Sequence, residues 1–149
     1  MCGCTIVDLS THIMVTDGLN QNLLDPETPG YLKEEDIRIY YLNDGKREEV
    51  YRPSMDAPRN FRITKDNPRG EYEMILYPDE GRHDGEVTTT IIHWNDDVEE
   101  DILECEVHRW SSSVSITKIW TGGTLVYDKT NPSDTPDNVG GLRLVRLIK

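Results

Sequence analysis

Basic charge is scarce in this chain: 16 lysines and arginines face 28 aspartates and glutamates, a net charge of −12 over 149 residues. Phosphate backbones attract proteins that bring cations, so this balance argues against general nucleic-acid binding. An anionic bilayer surface repels such a chain as well. Long hydrophobic runs are missing. No stretch approaches the roughly 18 apolar residues of a membrane-crossing helix, and no helix-length window repeats its apolar residues every 3.6 positions. Internal repeats are lacking too. Cysteine is limited to three residues. A chain of this length buries about 68–70% of its unfolded surface, so it needs neither disulfides nor metals as staples.

What recurs instead is alternation over short stretches, bounded by Asp, Gly, Asn and Pro clusters, which is the signature of half-buried strands. In THIMVTD, Ile13 and Val15 share a face; in DIRIYYL, Ile37, Ile39 and Tyr41 do. Asn43-Asp44-Gly45 then predicts a tight hairpin, because Asp and Gly tolerate the positive φ that such turns require, and KREEVYR returns. FRITK, EYEMILYP, TTTIIHW, DILECEVHRW, VSITKIW, TLVYD and LRLVRLIK complete a set of eight to ten strands. DILECEVHRW alternates most cleanly, with Leu103, Cys105 and Val107 opposite Glu104, Glu106 and His108. The prolines of LLDPETPG and RPSMDAPRN mark loops, and YLKEEDI has room for one helical turn. The fold class this predicts is all-β: an antiparallel β-sandwich, immunoglobulin-like or prealbumin-like, as one domain over residues 11–149 behind an N-terminal segment of residues 1–10.

VTDGLNQNLLDPETPGYLKEEDIRIYYLNDGKREEVY resembles the start of small Bacteroidales-type β-sandwich lipoproteins of unassigned function. IIHWNDDVEEDILECEV and TKIWTGGTLVYD are similar to hairpins of the same proteins, so the likeness spans roughly residues 11–128. VTDGLNQNLLD is also similar, over a shorter stretch, to the opening of prealbumin-like domains. The resemblance implies a location in the cell envelope, in the periplasm or on the outer-membrane surface. It carries over no catalytic residue and no cofactor.

Met1-Cys2-Gly3-Cys4 fits the end of a lipoprotein signal, with Gly3 as the small residue and Cys4 as the lipidation site. No basic or apolar region precedes it, so this reading requires an upstream start. Several acyl chains on one cysteine anchor stably at about 0.8 kcal/mol per buried CH₂. The rivals are an inert terminus and a metal or redox pair, since Cys2 and Cys4 at i and i+2 of a strand would share a face. A closed zinc site needs four ligands, and His12, His83, His93 and His108 show no ligand spacing, so no metal and no cofactor is expected.

Other candidate chemistry competes with plainer readings. Asn95 to Asp101 is rich in oxygen ligands but lacks the order that wraps calcium, and a solvated hairpin tip explains it. The same holds for the loop of residues 128–138. His83 beside Asp84 could form a base and its orienter, yet no nucleophile motif accompanies them. Gly122-Gly123 and Gly140-Gly141 read as turns. Of the three tryptophans, Trp94 and Trp120 continue apolar faces begun by Ile92 and Ile116, which predicts core packing. Trp110 shares the polar parity of His108 and is the first candidate for a ligand or partner contact, with Tyr40 and Tyr51 beside it. The basic LRLVRLIK reads as a charged edge strand or a segment docked on the acidic body.

The function expected from these features is a non-enzymatic, exported binding or accessory module of the cell envelope, possessing a lipid anchor and an unknown protein or glycan partner. A structural envelope protein without a small ligand is the alternative, and a hydrolase a more distant one.

Overall fold

The computed structural model describes residues 6–54, 57–129 and 143–149, and the alternating segments within them lie in sheets. Eleven strands occur there: β1 (Ile6–Asp8), β2 (Thr11–Thr16), β3 (Arg38–Asn43), β4 (Lys46–Glu49), β5 (Phe61–Thr64), β6 (Glu73–Leu76), β7 (Val87–His93), β8 (Asp101–Trp110), β9 (Ser113–Thr121), β10 (Thr124–Asp128) and β11 (Leu144–Ile148). A larger sheet runs β1-β9-β8-β7-β3-β4, with β10 also on β9, and a smaller one runs β11-β2-β6-β5. One 3-10 turn at Glu34–Asp36 falls in the YLKEEDI segment. Cys2, Cys4, residues 130–138 of the long loop and Gly140-Gly141 lie outside the described residues. Among the described residues no helix is long and apolar enough to cross a membrane.

The predicted all-β sandwich is the architecture found. Ile13, Val15, Met74, Leu76 and Val145 of the smaller sheet face Ile39, Ile92, Leu103, Cys105, Val107, Ile116 and Ile119 of the larger in one core. Cys105 is fully buried, and burial pushes its thiol up to about 12, so it acts as a small hydrophobe. The two hairpins marked by glycine form as expected. Asp44 and Gly45 have φ of 51° and 78°, and Gly122 and Gly123 of 56° and 83°, the positive values of a two-residue hairpin turn.

Antiparallel pairing holds through the interior, but each sheet takes a parallel strand at its edge, β1 on β9 and β11 on β2. β1 joins the sheet ahead of residue 11, inside the stretch expected to precede the domain. Trp120 departs from its expected place. A bulge between Glu106 and Val107 leaves Thr117 as the extra residue of β9, and an extra residue inverts the side-chain parity beyond it. Ile119 is buried in its stead, and Trp120 stands half-buried on the outer face opposite exposed Glu104.

The outer face of the smaller sheet is not wet. Met14, Glu73, Ile75 and Leu144 on that face are all buried. Glu73 is ion-paired to Arg69 and lies 2.9 Å from His12 Nδ1, the pairing a buried carboxylate requires. Arg143 leads into β11 and ties five strands together. Its guanidinium donates to the backbone oxygens of Asp8 (3.0 Å), Ser10 (3.1 Å) and Ile116 (3.4 Å), pairs with the Asp8 carboxylate, and lies 5.7 Å from the Tyr127 ring. The basic terminal segment is thus both an edge strand and a docked one.

Candidate functional site

β4 and β5 are free edges of their sheets, and two loops close the sandwich beside them. The loop between β2 and β3 is pinned by buried Leu23, Leu24 and Leu32 and by Asn22, which accepts from Leu24 N–H and donates to the Tyr72 carbonyl, both at 2.9 Å. The loop between β4 and β5 is held by buried Val50, whose N–H donates to the Ile39 carbonyl at 2.8 Å, and by Arg52 N–H donating to Pro58 at 2.6 Å. Between the loops lies a cleft of about 570 Å³, lined by Pro26, Tyr31, Tyr51, Pro58, Arg59 and Phe61, with exposed Lys33, Glu34 and Glu35 also along it. Phe61 is 5% exposed and forms its base; Tyr51, at 56%, forms a wall.

Arg59 decides the character of this cleft. Its guanidinium carbon lies 5.4 Å from the centre of the Tyr51 ring, a cation–π contact. Its Nε is shut off from solvent and meets no acceptor, and no carboxylate among the described residues pairs with it. A larger cleft of about 690 Å³ runs past Tyr41, Asn60 and Tyr77; these three satisfy one another, and its arginine, Arg52, is exposed rather than half-buried. The Tyr41 hydroxyl donates to the Tyr77 carbonyl at 2.9 Å and accepts from Asn60, and burial pushes its pKa up to about 12.

The three aromatic candidates sit in three places. Tyr51 lines the cleft. Tyr40 is half-buried on the outer face of the larger sheet, under Arg47 (5.8 Å) and edge-on to His93 (6.5 Å). Trp110 is 51% exposed at the far end of β8, its ring 3.8 Å from that of His108 and 5.8 Å from Lys129 Nζ. Beside Tyr40, His93 holds Glu100 through Nδ1 at 3.0 Å and Asp96 through Nε2 at 3.3 Å, and Arg47 grips Glu100 with two bonds of 2.8 Å. The bonds from Arg47 hold the Glu100 carboxyl below its usual range. A lowered folded value gives stability that is complete above about pH 5 and lost as pH falls through it. Glu100→Gln should therefore flatten the acid limb of a Tm-versus-pH curve, with variant and wild type converging once the pH falls below the lowered folded value; parallel curves would show the pair contributes nothing.

Asp84 pairs with His108 Nδ1 at 2.9 Å and accepts from Arg109 N–H at 2.8 Å, so its imidazole partner is not the adjacent His83. In the acidic turn, Asn95 Oδ1 accepts from Asp97 and Val98 N–H at 2.8 Å, while Asp96, Glu100 and Asp101 are engaged by His93, Arg47 and Trp94. Among the described residues no three His, Cys, Asp or Glu side chains converge as metal ligands. Tyr31, Arg59 and Phe61 were not among the residues nominated from sequence. Their one signal is that two proline-marked loops each carry aromatic residues, the second with an arginine directly after its proline. No family model, curated protein or solved structure matches the chain.

Proposed function

We propose that this protein is a non-enzymatic binding module of the cell envelope, anchored through an acylated Cys4 and meeting its protein or glycan ligand in the Tyr51 cleft. The observation that carries the reading is Arg59, a half-buried cation without a carboxylate partner among the described residues, set among aromatic rings in a preformed cleft. Ligand sites have this make-up: apolar and aromatic walls with a few polar groups that fix orientation. The contacts of His12, His93 and His108 are to carboxylates and aromatic rings that tie strands and turns together.

Ile6 pairs with Ser113, beside Trp110, so the first described residues join the larger sheet at that end. Tyr51 follows β4 past Glu49, which pairs with Tyr40, at the end where Arg38 meets His93. β8, ten residues long, separates the two ends by about 30 Å at roughly 3.3 Å per residue. The cleft thus lies at the end of the larger sheet opposite the Ile6–Ser113 pair.

A binding screen of glycans and peptides against wild type and Tyr51→Ala tests the cleft. Because Tyr51 is exposed, its loss should leave the fold intact and weaken the ligand by about tenfold or more; unchanged affinity would move the site elsewhere. For the anchor, the full-length gene expressed in its host should give membrane-partitioned protein that Cys4→Ala releases. Soluble protein in both cases would reject it.

A further inference from the structure

We infer that the ligand of the Tyr51 cleft is a carboxylated sugar, a pyranose ring lying against the aromatic walls with its single carboxylate on Arg59. This rests on the reading of the cleft as the binding site and names the chemistry it takes.

The anion follows from Arg59. Arg47, Arg69, Arg109 and Arg143 each have a carboxylate partner. Among the described residues Arg38 and Arg59 are half-buried without one; Arg38 donates to the Glu35 and Ile37 carbonyls, whereas Arg59 meets only the Tyr51 ring. Its planar fork matches a carboxylate in two parallel bonds, and stacking on Tyr51 restricts the side chain before any ligand arrives.

The sugar follows from the rest of the lining. Tyr31, Tyr51 and Phe61 offer flat apolar faces, which pack against the C–H face of a pyranose. Glu34 and Glu35 can accept hydrogen bonds from its hydroxyls, and together they offset Lys33 and Arg59. A mouth with two cations and two carboxylates on a body of net charge −12 suits one negative charge and repels a polyanion. The volume, about 570 Å³, falls within the range for small-molecule ligands. A peptide added as a strand is disfavoured, because the lining comes almost wholly from loops and only Phe61 belongs to a strand.

The test is a titration of the protein with glucuronate- and galacturonate-containing disaccharides, their neutral glucose and galactose counterparts, and a proline-rich peptide with a free carboxyl terminus. Binding is read by calorimetry and by the NMR resonance of the Arg59 Nε–H. The acidic sugars should bind about tenfold or more tightly than the neutral ones and shift that resonance. Arg59→Met should erase the preference, Arg59→Lys should keep part of it, and Tyr51→Ala should weaken both sugar classes; thermal melts confirm that each variant is folded. Equal affinity for acidic and neutral sugars, or a preference that survives Arg59→Met, would overturn the assignment. Peptide binding in the cleft without sugar binding would overturn the sugar and leave the cleft standing as the site. No ligand perturbing the cleft would remove the inference together with the reading beneath it.

Discussion

Arg143→Ala should destabilise the sandwich by about 3 kcal/mol or more, because several partly buried carbonyls lose a charged donor at once. The guanidinium reaches Asp8 and Ser10 on one side and Ile116 on the other, and it packs on Tyr127. These groups belong to or flank β1, β2, β9 and β10, so one side chain stitches both parallel edge strands to the sheets they join. At about 2–4 °C per kcal/mol for a chain of this size, Tm should fall by roughly 6–12 °C. Arg143→Lys should recover only part of the loss, since an ammonium cannot present a planar fork to three carbonyls. Asp8→Asn is the internal contrast. The Asp8 side chain is 55% exposed, so the ion pair by itself is worth about 1 kcal/mol or less. Urea unfolding of the three variants separates these contributions. If Arg143→Ala costs no more than Asp8→Asn, water replaces the guanidinium at the carbonyls and the stitching role is wrong.

That stitch was hidden in the sequence for a physical reason. Period-two patterning reports which face of a strand is apolar, and it located the core wherever a strand is regular, as at Leu103, Cys105 and Val107. It is silent about which distant strand lies alongside, so the parallel partners β1–β9 and β2–β11 left no trace. It also fails at an inserted residue. Ile116 and Trp120 share parity in VSITKIW, but the bulge at Thr117 turns Ile119 inward and Trp120 outward. Glu73 escapes the pattern in another way: it alternates with Met74 as a solvent-facing residue does, yet Arg69 and His12 let it be buried. The cleft was legible only as parts. Parity and position nominated Tyr40, Tyr51 and Trp110 as accessible aromatics, but accessibility does not say which of them lines a cleft beside a half-buried arginine. That depends on two loops meeting through long-range packing, and no local signal encodes their approach.

Trp94→Ala should be the most costly substitution among the aromatic residues, at about 3–5 kcal/mol, the range for deleting a fully buried large side chain. Trp94 has no exposed surface and directly follows β7. Its position is fixed chemically as well as sterically: Nε1–H donates to Asp101 Oδ2 at 2.7 Å, and the same carboxylate pairs with Lys149, whose Nζ also donates to the Glu99 carbonyl at 3.0 Å. Lys149 N–H donates in turn to the Thr16 carbonyl at 2.7 Å, so the indole of one sheet is linked through Asp101 to β2 of the other. Trp94→Phe divides the effect. It keeps most of the apolar volume and removes the indole donor, which should cost about 1–3 kcal/mol. Denaturant unfolding followed by far-UV circular dichroism measures both variants, independently of the tryptophan signal that the substitutions remove. A loss below about 1 kcal/mol for Trp94→Ala would mean that neighbouring side chains collapse into the space and that this end of the core is not packed around the indole. Equal losses for Ala and Phe would assign the whole effect to the bond with Asp101, and the link between the sheets would then outweigh the packing that surrounds it.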